Sequence, residues 1–216
     1  MGAGVLLLGR SGVGKTYSLH GFGPDEIGLL NVTSKEMPFR SSLPSVDGAG
    51  YDVIKKCIES GKRRAWFVDD ANYLMAFDNF ARAGERGYDK FTDMACDFEG
   101  MLKSIRESPK GTIVYVAMHT DIDALGREKP KTIGKMLDEK LCIEGLFSCI
   151  LDCTVQDGRH VFVTESNGVN LAKAPVGCLP PVMDNDLKAV DTALREYWGL
   201  APLVDTEKKE NSNAKG

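Results

Sequence analysis

The 216 residues hold no apolar stretch near the roughly 20 residues that a membrane-spanning helix needs. The opening MGAGVL carries no secretory n-region and cleavage site, and Leu6 stands where a myristoylation signal wants Ser or Thr. No membrane contact is expected. Six cysteines, at 57, 96, 142, 149, 153 and 178, include no C-x-x-C pair, so reduced thiols and a cytoplasmic setting are expected. Cys149 and Cys153 lie in strand-like LFSCILDCTV, where residues four apart share a face at about 13 Å, and they read as core thiols rather than metal ligands. A net charge of −4 gives no global attraction to nucleic acid or to an anionic membrane, so any such binding must come from a local basic patch. No internal repeat and no Pro- or Ser-rich linker divides the chain. One domain over 1–200 is expected, followed by a frayed polar tail over 201–216.

What is present is a well-filled core. Hydrophobic residues make up 43% of the chain, and a chain of this length buries about 70% or more of its unfolded surface. Short apolar runs, Val5 to Leu8, Ile27 to Val32, Ala65 to Val68 and Thr112 to Met118, alternate with helical patterns at Thr16 to His20, Tyr51 to Ser60 and Phe91 to Arg106. Strands buried on both faces that alternate with helices predict an α/β fold with a mainly parallel sheet flanked by helices. After residue 145 the pattern changes. Phe147 to Val155 and Arg159 to Thr164 flank Gln156-Asp157-Gly158, which predicts an antiparallel hairpin extending the sheet. Asp184 or Asn185 can cap a last helix to Trp198, with Leu187, Val190, Ala193, Leu194 and Tyr197 on its apolar face.

Gly9-Arg10-Ser11-Gly12-Val13-Gly14-Lys15-Thr16 satisfies G-x-x-x-x-G-K-[ST] between a predicted strand and a predicted helix, the context of a phosphate-binding P-loop. Glycines let successive backbone N–H groups turn inward on phosphate oxygens, and a helix N-terminus adds donors and dipole. Gly9 through Tyr17 are the candidate nucleotide-binding residues. In such a loop Lys15 would bridge the β- and γ-phosphates and Thr16 would ligate Mg²⁺. Arg64-Ala65-Trp66-Phe67-Val68-Asp69-Asp70 delivers Asp69 to a strand end as the metal-side carboxylate. Asp70 is either the base or orienter of an attacking water or the N-cap of the next helix; Glu36, after the second strand, competes for the catalytic role. His119 leaves the fourth strand, where it either senses the γ-phosphate or is simply solvated. The absence of an N-K-x-D guanine-reading motif favours ATP over GTP.

VDDANYLM at 68–75, GYDKFTDMA at 87–95, KTIGKMLDEKLCIEGLFS at 131–148 and NDLKAV at 185–190 resemble the small phage-encoded ATP-binding proteins of the RecA-like P-loop class. The resemblance extends from about Val5 to Trp198. It implies a RecA-like core, ATP hydrolysis with Mg²⁺ coupled to single-stranded DNA, and a place in phage recombination or replication inside a bacterial host. It also implies a homo-oligomer with nucleotide at its interfaces and, as partner, a phage single-strand annealing or single-stranded-DNA-binding protein. DNA would face residues 76–92 and 120–135, including Arg82, Arg86, Arg127, Lys129, Lys131 and Lys135 with Phe80, Tyr88 and Phe91; cations following phosphates and rings stacking on bases suit a single strand. The alternative for these residues is a solvated charged loop over core aromatics. Lys131 and Lys135 resemble lysines offered to a neighbour's nucleotide. Two other functions stand beside this one, a small-molecule kinase and a nucleotide-dependent switch that does not hydrolyse.

Overall fold

The computed structural model describes residues 1–204. In chain order come β1 (Ala3–Leu8), a 3-10 turn (Tyr17–Gly21), β2 (Gly28–Asn31), β3 (Ser45–Asp47), α1 (Tyr51–Glu59), β4 (Ala65–Asp69) and α2 (Asn72–Ala81). Then follow α3 (Asp89–Glu107), β5 (Ile113–Met118), β6 (Thr120–Ile122), β7 (Glu128–Pro130), α4 (Lys135–Lys140) and a second 3-10 turn (Ile143–Leu146). The last elements are β8 (Cys149–Gln156), β9 (Arg159–Val163), β10 (Val182–Asp184) and α5 (Leu187–Trp198). Eight strands form one sheet in the order β10-β9-β8-β1-β5-β4-β2-β3, and β6 pairs with β7 in a separate hairpin. From β8 across to β3 every pairing is parallel, whereas β9 and β10 join antiparallel.

Side-chain alternation along the central strands builds two cores, one on each face of the sheet. Leu6 and Leu8, Val68, Val114 and Val116 point into the layer filled by Ile54 and Ile58 of α1, Leu74 and Met75 of α2, and Phe98, Met101 and Ile105 of α3. Val5 and Leu7, Phe67, Ile113 and Tyr115 point the other way, onto Leu19, Phe22 and the Leu187, Val190 and Leu194 stripe of α5. Cys149 and Cys153 both sit in that second core. Both cores use strands buried on two faces, which is why these strands read as continuous apolar runs.

Several expectations are corrected in detail. After the P-loop the chain makes a five-residue 3-10 turn, not an α-helix; it ends on Gly21, and Gly23 and Pro24 beyond it prevent its continuation. The cap of α5 is Asp186, whose carboxylate accepts from the Lys188 and Ala189 N–H groups; Asp184 belongs to β10. Tyr197 is 51% exposed. The inward positions of α5 are taken instead by Asp191 and Arg195. Tyr115 donates to Asp191 at 2.7 Å and Arg195 Nε donates to it at 2.5 Å, so the polar pair is satisfied where the apolar stripe leaves a gap. The Asp157-Gly158 turn has positive φ at both residues (49° and 75°), the geometry of a two-residue hairpin loop. Of the tail, residues 205–216 lie outside the described residues.

Candidate nucleotide site

The site lies beyond the carboxyl ends of the parallel strands, where open α/β sheets collect ligands. β1 runs between β5 and β8 and ends at Leu8, immediately before Gly9. Gly9 has φ +154°, and a Cβ there would stand 2.5 Å from the Cys153 carbonyl of β8, so only glycine lets the loop leave the sheet at this point. Lys15 is 6% exposed and its ammonium folds back onto the carbonyls of Gly9 (2.8 Å) and Arg10 (2.9 Å). Burial lowers its pKa.

Thr16 Oγ1 donates to both carboxylate oxygens of Asp69, at 3.0 and 2.9 Å. Asp69 closes β4, is 1% exposed, and has a raised pKa because burial and the neighbouring Asp70 oppose its charge. A hydroxyl and a buried carboxylate in contact are hard oxygen donors that suit Mg²⁺, which binds through one or two protein groups and substrate phosphates. Among the described residues no group of three or more His, Cys, Asp and Glu is placed to hold a metal. The pair Thr16 and Asp69 fits an ion brought in with phosphate.

Asp70 does not cap α2. Its backbone is left-handed (φ 58°), which turns the carboxylate away from the helix; the N-cap position is Ala71, tied by its N–H to the Ala117 carbonyl of β5. The carboxylate meets a lysine and a histidine instead. Lys35 donates to Oδ2, and His119 Nε2 lies 3.4 Å from Oδ1. Burial pushes the Asp70 carboxyl up, but hydrogen bonds from His119 and Lys35 outweigh it and hold the group down at about 2. His119 is itself placed by its N–H bond to Asn72 Oδ1 (3.1 Å) and by edge contact with the Tyr73 ring.

Ser11, Gly12, Gly14, Lys15, Thr16 and Tyr17 thus share one cavity of about 360 Å³ with Lys35, Glu36, Asp70 and His119. The structure brings together the P-loop, Asp69, Asp70, Glu36 and His119 as the sequence predicts. Glu36 is exposed in that cavity and makes no hydrogen bond or ion pair among the described residues. Lys131 lines an adjoining cavity that shares Ser11 and His119, while Lys135 is exposed at the start of α4 and lines neither of the two.

A P-loop strand is thus separated from the strand carrying its acidic partner by one intervening strand, in the order β8-β1-β5-β4-β2. This arrangement fits the α/β fold with a RecA-like P-loop core that the sequence predicts. No family model matches the chain, and no curated protein does. Among solved structures the P-loop chain is similar to a prototypical ATPase from the type III secretion system of pathogenic bacteria, at 15% identity and a TM-score of 0.44. The match covers 71% of this chain and 51% of that one, so the chain spans about half the length of that ATPase.

Sequence reasoning missed four residues. Lys35 stands next to Glu36 in the loop leaving β2, and the strand-end rule that selects Glu36 selects it equally. His160 lines the cavity with Nδ1 3.0 Å from the Val13 carbonyl. His20 stacks on the Tyr17 ring at 4.8 Å. Asn185 is 6% exposed beside Gly14, with neither amide atom partnered among the described residues. These three contacts join segments far apart in sequence or depend on how the P-loop turns, so no local pattern signals them.

The segment 76–92 is largely helical: α2 runs to Ala81 and α3 starts at Asp89. Phe80 (76%) and Tyr88 (88%) are exposed, whereas Phe91 packs against the core. Arg82 is held by Glu85 and Asp93, Arg127 by Asp123, and Lys129 by Asp138. The segment 120–135 is the β6–β7 hairpin and the approach to α4. No helix among the described residues is long and apolar enough to cross a membrane.

Proposed function

We propose that the chain is a Mg²⁺-dependent ATP hydrolase. The observation that carries this is the Thr16–Asp69 contact, which joins the P-loop to the end of β4 beside a cavity that also holds Asp70, Glu36 and His119. The loop N–H groups receive the β- and γ-phosphates, and the Lys15 ammonium exchanges two backbone carbonyls for phosphate oxygens. Thr16 and Asp69 would hold Mg²⁺, which would supply positive charge beside the phosphates. Asp70, beside His119 at the end of β4, is placed to orient the attacking water. Glu36, free in the same cavity, is the carboxylate that takes the proton. His119, held on Asp70, is placed to meet the terminal phosphate.

The finer reading is action with single-stranded DNA in phage recombination or replication, as an oligomer. Its support is the resemblance in sequence together with the exposed rings of Phe80 and Tyr88 beside Arg86. The ion pairs on Arg82, Arg127 and Lys129 weigh against those three as phosphate clamps. Lys131 and Lys135 remain the candidates for a neighbour's nucleotide. The experiment is steady-state phosphate release from ATP with Mg²⁺, with and without single-stranded DNA, using Lys15→Ala as the control for contaminating ATPase. A rate stimulated by DNA and lost in the control supports both readings. A rate indifferent to DNA keeps the hydrolase alone, and nucleotide binding without turnover moves the reading to a kinase or a switch.

A further inference from the structure

Among the described residues Lys35 is the one lysine, apart from Lys15 of the P-loop, that lines the cavity, and its position is built rather than incidental. Asn31 ends β2 directly opposite Asp69 in the β2–β4 register and is 3% exposed. Its amide donates to the Lys35 carbonyl at 2.9 Å and to Asp47 Oδ1 at 3.0 Å, which fixes the loop against β3. Ser34, immediately before, has φ 54°, a left-handed turn that swings the next residue back over the strand end. The ammonium of Lys35 then contacts Asp70 Oδ2 and lies 3.7 Å from Asp69 Oδ2. Its side chain is 44% exposed while Asp69 is 1% exposed, so the stem comes from solvent and only the charge is committed.

We propose that Lys35 is the residue by which this site tells a nucleoside triphosphate from a diphosphate: its ammonium exchanges the Asp69–Asp70 carboxylates for the terminal phosphate. The inference rests on the nucleotide reading above. Two neighbouring acids need a cation when no ligand is bound, because adjacent buried carboxylates repel. The same acid that Lys35 touches at 3.7 Å is the one in contact with Thr16, so a cation held there and Lys35 compete for one carboxylate. A terminal phosphate offers Lys35 up to two negative charges and three strong acceptors in the same cavity. A diphosphate ends one group short and leaves Lys35 on the acids. The exchange needs only side-chain rotation about a four-carbon stem that is already partly in water.

Calorimetric titration of the whole chain with a non-hydrolysable ATP analogue and with ADP, both with Mg²⁺, tests this in the wild type, Lys35→Ala, Lys35→Arg and Lys15→Ala. Losing one charge-assisted contact to the triphosphate should weaken the analogue by about tenfold to a hundredfold in Lys35→Ala. ADP affinity should stay within about twofold of wild type, and Lys35→Arg should recover part of the difference. If Lys35→Ala is too unstable to titrate, Lys35→Ala/Asp70→Asn removes the repelling charge and carries the same comparison against Asp70→Asn. Equal weakening of both ligands, or of neither, would overturn the proposal and leave Lys35 as a neutraliser of the two acids. A wild type that binds neither ligand would overturn the nucleotide reading itself, and this inference with it.

Discussion

At Asp69 and Asp70, two adjacent carboxylates end in opposite states because of what each side chain meets. Asp69 finishes a central strand, is enclosed, and is pushed up by burial; Asp70 steps out of the strand in a left-handed conformation and is held down by Lys35 and His119. The doublet was legible in the sequence as chemistry, but the split was not, since it depends on a φ angle and on a lysine 35 residues away. On the proposed reading the water-activating role would fall to Glu36, which makes no hydrogen bond or ion pair among the described residues. Glu36→Gln is expected to lower ATP turnover by about 10²–10⁴-fold with nucleotide affinity unchanged. Asp70→Asn is expected to lower turnover too, and also to lower the pKa of Lys35, which the two acids raise against its partial burial. Phosphate-release kinetics and the titration of the Lys35 amine by NMR check the pair. A Glu36→Gln variant with wild-type turnover would return the base to Asp70.

At the level of elements, the segments legible in advance are those whose period is strong and whose breakers are local. The strands β1, β4 and β5, the hairpin of β8 and β9, and α1 and α3 stand within a few residues of their expected positions. The misses lie where tertiary demand overrides a local pattern. The chain after Thr16 has the residues to begin a helix, yet Gly21 to Pro24 must carry it back down to β2, and five residues leave room only for a 3-10 turn. On the proposed reading the P-loop would bind phosphate with backbone N–H groups and Lys15, with little helix dipole behind them. At the other end, Asp184 or Asn185 is the expected cap, and Asp186 holds the position instead. β10 claims the first and the wall beside Gly14 claims the second. Asp186→Ala is expected to cost about 1 kcal/mol, a fall of roughly 2–4 °C in the thermal midpoint for a domain of this size. Circular dichroism would detect it, and Asp184→Ala should show a smaller fall.

Across the whole molecule, stability and chemistry are held at opposite ends of the sheet. The carboxyl ends of β1, β2, β4 and β5 carry the P-loop, Lys35, Asp69, Asp70 and His119. From the second core, Arg195 reaches the other end, donating to the carbonyls of Gly111 and Arg64, which precede β5 and β4, and to Ala201 beyond α5. Its Nε pairs with the fully buried Asp191, which accepts from Tyr115 in the middle of β5. The apolar period of α5 foretold a purely hydrophobic stripe. No sequence pattern says that a buried tyrosine on the facing strand will need an acid, or that the acid will need an arginine. Arg195→Met leaves Asp191 charged in an apolar layer, a loss of about 3–5 kcal/mol, seen as a drop of roughly 10 °C or more in the thermal midpoint. Replacing the group as a unit, Tyr115→Phe with Asp191→Leu and Arg195→Met, removes the uncompensated charge and should recover most of that loss. Because the network touches none of the residues lining the nucleotide cavity, the triple variant should keep wild-type affinity for nucleotide. A triple variant that is stable yet binds ten times more weakly would show that the two ends of the sheet are coupled.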